Sequence, residues 1–191
     1  MSGSAASTRP NDGDFQWVPD AGGTPVSVSA GVYKKVAMTS TPMHWKLVVD
    51  AHDPHAQADF WAAALHYEVE DHSAFIGKLL DLGRVTPDIL ITHHGRHAWR
   101  DAAAIRHPDD PYAPESGTGL GRRVLFNRVP QSEKKTTKNR LHIDLHGPAG
   151  ERDREVERLR ALGARVQAHV KEPSGEWVIM TDPEGNEFCV H

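Results

Sequence analysis

Residues 177–191 read WVIMTDPEGNEFCVH: an apolar run, the turn-forming residues Asp182, Pro183, Glu184, Gly185 and Asn186, and a second half-apolar run that carries the only cysteine, Cys189. Pro presets its φ near −65°, and Gly and Asn tolerate the left-handed backbone that closes a turn. Two strands on either side are therefore predicted, with Glu187, Cys189 and His191 on one face of the second. Cys189 then has three readings: metal ligand, nucleophile, or small apolar filler in a last strand.

Upstream, RLHIDLH (140–146) reads as a strand, and Pro148 precedes a helical stretch, AGERDREVERLRALG (149–163). Its Val156, Leu159 and Leu162 form an apolar stripe that Gly163 ends. The charged run inside it is the solvated face of that helix, and ARVQAHV (164–170) is extended again. The same order appears earlier. HWKLVVD (44–50) is followed by DPHAQADFWAAALHY (53–67), where Asp53 is the N-cap and Pro54 the first helical residue. Gln57, Phe60, Trp61, Ala64 and Leu65 share one stripe of that helix, facing a sheet. Residues 102–130 then read as strand, long turn, strand, so a β-α unit followed by further strands occurs twice.

Residues 71–101 interrupt the first unit, with a helix expected from Ser73 to Leu82. Phe75, Leu79, Leu80 and Leu82 are too apolar to lie free in water, so the insert is expected either to narrow the mouth of a site or to join a homodimer interface. In HHGRHAW (93–99), His93 and His97 would share a face only if the stretch were helical. Metal binding by that pair is the lesser reading, because Gly95 opposes a helix and no Glu follows in the HExxH manner, and a solvated loop forming a pH-responsive rim is expected instead.

With 38% hydrophobic and 25% charged residues and a net charge of −4, the chain reads as an ordinary globular protein with no basic stripe for nucleic acid. One cysteine excludes an internal disulfide, and no run is long and apolar enough for a membrane. A cytoplasmic protein is expected. The domain reading is a flexible extension over 1–42, a first module over 43–130, a linker over 131–138 and a second module over 139–191.

A doubled βαβββ unit with DPHAQADFWAAAL after its first strand, NRLHIDL opening the second unit and DPEGNEFCV at the end resembles the glyoxalase-like branch of the vicinal oxygen chelate superfamily. The resemblance implies an α+β fold in which two βαβββ modules form a curved, cup-shaped mixed sheet. It also implies that strands of both modules bring side chains to the cup floor, where many members hold a divalent ion. The four corresponding positions here are Lys46, Asn127, His142 and Cys189. A lysine repels a cation and an Asn carbonyl is a weak donor, which leaves His142 and Cys189 as the two good ligands.

The expected function is therefore binding of a small organic molecule in the cup without the usual four-ligand metal site. In an enzyme, lyase- or dioxygenase-like, His142 would be the general acid/base, Lys46 the oxyanion stabiliser and Cys189 a lesser contributor. Asn127, Asp144, Trp177 and Glu187 are assigned to ligand binding, Trp177 by stacking. The rival expectation is a metal-dependent lyase or dioxygenase holding Zn, Ni, Mn or Fe through His142, Cys189 and His44, with Glu187 or His191 as further substitutes. A third is a non-catalytic, resistance-type sequestering protein.

Overall fold

The computed structural model describes residues 45–173 and 175–191, so the 1–42 extension and His44 lie outside the described residues. The first module runs β1 (Leu47–Ala51), α1 (Pro54–Leu65), β2 (Glu68–Val69), and then the insert. The insert comprises α2 (Ser73–Asp81), a single 3-10 turn (Pro87–Ile89), β3 (Leu90–His93) and β4 (Arg96–Trp99). Next come β5 (Ala102–Arg106), a small ribbon of β6 (Tyr112–Ala113) and β7 (Thr118–Gly119), and β8 (Arg123–Arg128). The second module is β9 (Asp144–Leu145), α3 (Arg152–Ala161), β10 (Arg165–Glu172), β11 (Gly175–Thr181) and β12 (Glu187–Val190).

The strand orders are β1-β8-β5-β2 and β9-β12-β11-β10. In each sheet the first strand pairs in parallel with the last, and the other neighbours are antiparallel. The two modules therefore share one topology, the α+β arrangement of two βαβββ units. The strand expected over 140–146 is ordered as a ladder only at Asp144 and Leu145.

Helix α1 begins where the sequence places it, whereas α3 begins only at Arg152, three residues into the stretch expected to be helical. The Asp53 carboxylate accepts hydrogen bonds from the backbone N–H groups of His55 and Ala56, each at 3.1 Å, which caps α1. Phe60, Trp61 and Ala64 of the expected stripe are buried, whereas Leu65 is only partly covered. Gln57 is buried as well, and its amide finds no hydrogen-bond partner among the described residues. Along α3, Val156 and Leu159 are buried, while Leu162 is exposed because the helix ends at Ala161 and Gly163 turns the chain away at φ +110°.

One core serves both modules. Phe60, Trp61, Val124 and Phe126 of the first belong to the same cluster as Val156, Leu159, Met180 and Phe188 of the second. Trp61 and Phe188 meet edge-on, ring centroids 5.3 Å apart. The DPEGN turn locks this junction. Asp182 is fully buried and accepts from the Trp61 indole at 3.1 Å, from the backbone N–H groups of Glu184 and Asn186, and from the Asn186 amide. Glu184 in turn accepts from the backbone N–H groups of His52 and Asp53, each at 2.9 Å, so the last turn of the chain holds the start of the first helix.

This packing sets the two faces of each sheet. Leu47, Val49, Val124 and Phe126 point to the helices, so Lys46, Val48, Leu125 and Asn127 point to the open face. In the second module Ile143, Leu145, Phe188 and Val190 point inward, which leaves His142, Asp144, Glu187 and Cys189 on the open face.

Candidate functional site

Cys189 lies directly opposite Asp144 in the parallel β9–β12 pairing, which brings side chains from two distant parts of the sequence to one spot. His142, Asp144 and Cys189 present ligand-type atoms all within 4.8 Å of one another. Asp144 is the hub. His142 Nδ1 lies 3.0 Å from Asp144 Oδ1, and since the carboxylate only accepts, Nδ1 carries the proton and Nε2 is left as an acceptor. His191 Nε2 is buried without a hydrogen-bond partner among the described residues, 3.7 Å from the other oxygen of Asp144.

The charges follow from this arrangement. Burial works to raise the pKa of Asp144, but the hydrogen bond and charge of His142 outweigh it and hold the carboxyl below its ordinary range. Burial, and then the adjacent Asp144, push the Cys189 thiol up. Both effects favour the protonated thiol, whose sulfur lies within 4.8 Å of the Asp144 carboxylate.

Lys46 precedes β1, and the register Leu47↔Val124 places it level with Arg123. Asn127 stands level with Asp50, four residues further along, or about 13 Å at 3.3 Å per residue. Lys46 and Asn127 thus stand apart along the first sheet, whereas His142 and Cys189 are grouped within 4.8 Å. On the open faces, the donor set that could hold a divalent ion comes from the second module: one imidazole, one carboxylate and, after loss of its proton, one thiolate.

Glu187 faces the same side as Cys189, but its carboxylate holds the linker, 2.9 Å from Lys135 Nζ and 3.0 Å from the backbone N of Asn139. Trp177 stacks on His191 with centroids 5.9 Å apart, and His191 stacks on His146 at 4.6 Å. An aromatic strip thus continues from the His142–Asp144 pair. Beside His142, a pocket of about 240 Å³ reaches between the modules past Val48, Trp61, Leu141 and Glu187.

The first module carries a polar group of another kind. Glu70 is buried with Arg123 in a two-pronged ion pair at 2.6 and 2.8 Å, His72 Nε2 at 3.3 Å and the Gly119 backbone N–H at 2.8 Å. Burial would raise its pKa, yet the bonds from His72, Arg123 and Gly119 bring it down to about 2. The hydrogen bond to Glu70 raises the pKa of His72, whose Nδ1 donates to the Ser116 carbonyl at 2.6 Å. This network fastens the β6–β7 ribbon to the sheet. Its members are scattered over residues 70–123, so no local motif announces it.

The insert departs from expectation at its tip. His93–Arg96 pair across a two-residue turn with φ +48° at His94 and +75° at Gly95, a type I′ hairpin, and not a helix or a loose rim. The hairpin docks on α1, where His93 and His94 approach Asp59. Because α1 covers the closed face of the first sheet, these histidines stand away from the open face.

The glyoxalase-like domain family model matches residues 46–191. Similar solved structures include the fosfomycin resistance protein FosX from Mesorhizobium loti, at 12% identity over 80% of this chain and 92% of that one, TM-score 0.49. FosX from Listeria monocytogenes is similar at 13% identity over 81% and 93%, TM-score 0.46. A glyoxalase/bleomycin resistance protein/dioxygenase from Nocardioides is similar at 17% identity over 81% and 85%, TM-score 0.45. No curated protein matches the chain. With its doubled βαβββ topology and a family match running from Lys46 to the last residue, the chain belongs to the glyoxalase-like domain family of the vicinal oxygen chelate superfamily.

Proposed function

We propose that this protein binds a small organic molecule over the open face of its second module and that the His142–Asp144 pair exchanges a proton with it. The observation that carries this reading is the orientation of His142: Asp144 holds Nδ1–H at 3.0 Å, which leaves Nε2 to accept a proton from a bound molecule. Asp144 remains charged and stabilises the imidazolium that results. Trp177, with His191 and His146, offers a flat apolar strip for the body of the ligand. Cys189 lies beside Asp144 and is no nucleophile while it keeps its proton.

A second reading rests on the same convergence. His142, Asp144 and Cys189 would hold a divalent ion, which would polarise an oxygen of the ligand as a Lewis acid. A thermal-shift screen of small acids, aldehydes and phosphonates, with chelated protein and with protein given Zn, Ni, Mn or Fe, separates the two. Compounds that stabilise the chelated wild type, and bind His142→Ala and Asp144→Asn at least about tenfold more weakly, support the proton-exchange reading. Stabilisation that appears only with metal favours the second, and compounds that bind all variants equally refute both.

A further inference from the structure

We infer that Asp59, His93 and His94 form a binding site for a divalent transition-metal ion of the zinc class, on the closed side of the first module, which fastens the insert hairpin to α1. His93 Nε2 lies 3.1 Å from Asp59 Oδ2, and His94 Nε2 lies 3.0 and 3.1 Å from the two carboxylate oxygens. All three ligand-type atoms fall within 4.8 Å of one another. Ligands on a tetrahedral ion with bonds of about 2.0–2.1 Å are roughly 3.3 Å apart, close to the two imidazole–carboxylate separations of 3.0–3.1 Å. Two imidazoles and one carboxylate suit zinc, nickel or copper and not magnesium or calcium, and water would complete the coordination.

The backbone is arranged for this convergence. Adjacent residues of a strand point to opposite sides, so His93 and His94 would ordinarily diverge. The left-handed conformation of His94 turns its ring back beside His93, centroids 4.0 Å apart. That position of a type I′ turn favours Asn, Asp or Gly, and a histidine there is held in a left-handed conformation that most side chains avoid. His93 is backed by the His55 ring at 4.7 Å, and His55 itself is anchored by donating from Nε2 to the Trp99 carbonyl at 2.9 Å. The first donor is therefore pre-oriented, while His94, two-thirds exposed, gives an ion a path in from solvent. Coordination needs the Nε2 lone pairs, so each neutral imidazole moves its proton to Nδ1 and the Nε2–H···O bonds give way to metal bonds.

The test uses the full chain carrying His142→Ala and Cys189→Ser, so that the donors of the second module do not compete. Zn²⁺ titrated calorimetrically should bind saturably as a single ion per chain and raise the melting temperature, and Co²⁺ should develop a visible absorption band. Asp59→Asn and His94→Ala, both at surface positions, should each weaken Zn²⁺ binding about 10–100-fold or more and remove the thermal shift, with an unchanged circular dichroism spectrum. Mg²⁺ should do nothing. Absence of saturable Zn²⁺ binding in the parent, or binding that survives both substitutions, overturns the assignment.

Discussion

The two modules have the same strand order and put opposite chemistry on their open faces. In the second, His142, Asp144, Cys189 and His191 converge on the face that is free of helix. At the matching level of the first, where β1 and β8 also pair in parallel, Val48 stands opposite Leu125. The first module spends its ionic groups on holding the β6–β7 ribbon through Glu70, Arg123 and His72. A duplicated fold thus supplies two equivalent faces, and side chains alone decide which one binds. Buried and fully paired charges serve cohesion, whereas half-exposed ones with an unused acceptor serve chemistry.

The hardest blow to this comparison falls on what both modules share. Asp182→Ala leaves the Trp61 indole and the turn N–H groups unpaired in the core and should destabilise by about 3–5 kcal/mol, measured by urea unfolding. A loss below about 1 kcal/mol would show that the DPEGN turn does not hold the modules together.

Glu70→Gln tests the cohesive role and should cost about 3 kcal/mol, the equivalent of the depression of its pKa from 4.5 to about 2. The folded carboxyl binds its proton less readily than the unfolded one. Its contribution is therefore complete above pH 4.5 and is lost as pH falls toward 2. His72 has the opposite sign: its pKa is raised, so its contribution is complete below 6.5 and is lost as pH rises through the folded value. The gap in melting temperature between wild type and Glu70→Gln should be widest between those limits and narrow on both sides. A gap independent of pH would refute the charged network.

His142→Ala tests the chemical role. Ligand affinity should fall at least about tenfold, or turnover about 10²–10⁴-fold, while stability changes by less than about 1 kcal/mol, because both partners of the pair are well exposed. A large stability loss with unchanged binding would make the two modules alike.

Cys189→Ser should have the smallest effect, under about 1 kcal/mol in stability and within about twofold in ligand affinity, since a hydroxyl is close in size to the thiol and is protonated beside Asp144 as the thiol is. Abolished binding or turnover would return Cys189 to the centre of the chemistry.

Alternation and turn chemistry made much of the fold legible in advance. Asp53 and Pro54 announced α1, Ser73 opened α2, and the face shared by Glu187, Cys189 and His191 followed from a period of two. The grouping of His142 with Asp144 was legible in the same way. The DPEGN motif announced a turn, but not that Asp182 would receive the Trp61 indole from 121 residues away.

By itself, then, the sequence determined the helices, the doubled unit and which residues share a strand face, because these depend on local periodicity and capping. Tertiary structure decided register and partners. Lys46 and Asn127 face the open side of one sheet, yet the β1–β8 register separates them by four residues. His93 and His94 looked like a solvated tip until the hairpin laid them on Asp59. Glu70 and Arg123 carry no mutual signal in the chain and still form its buried ion pair. Such contacts join residues remote in sequence, and their positions come from how sheets pair and helices pack, which a local pattern does not encode.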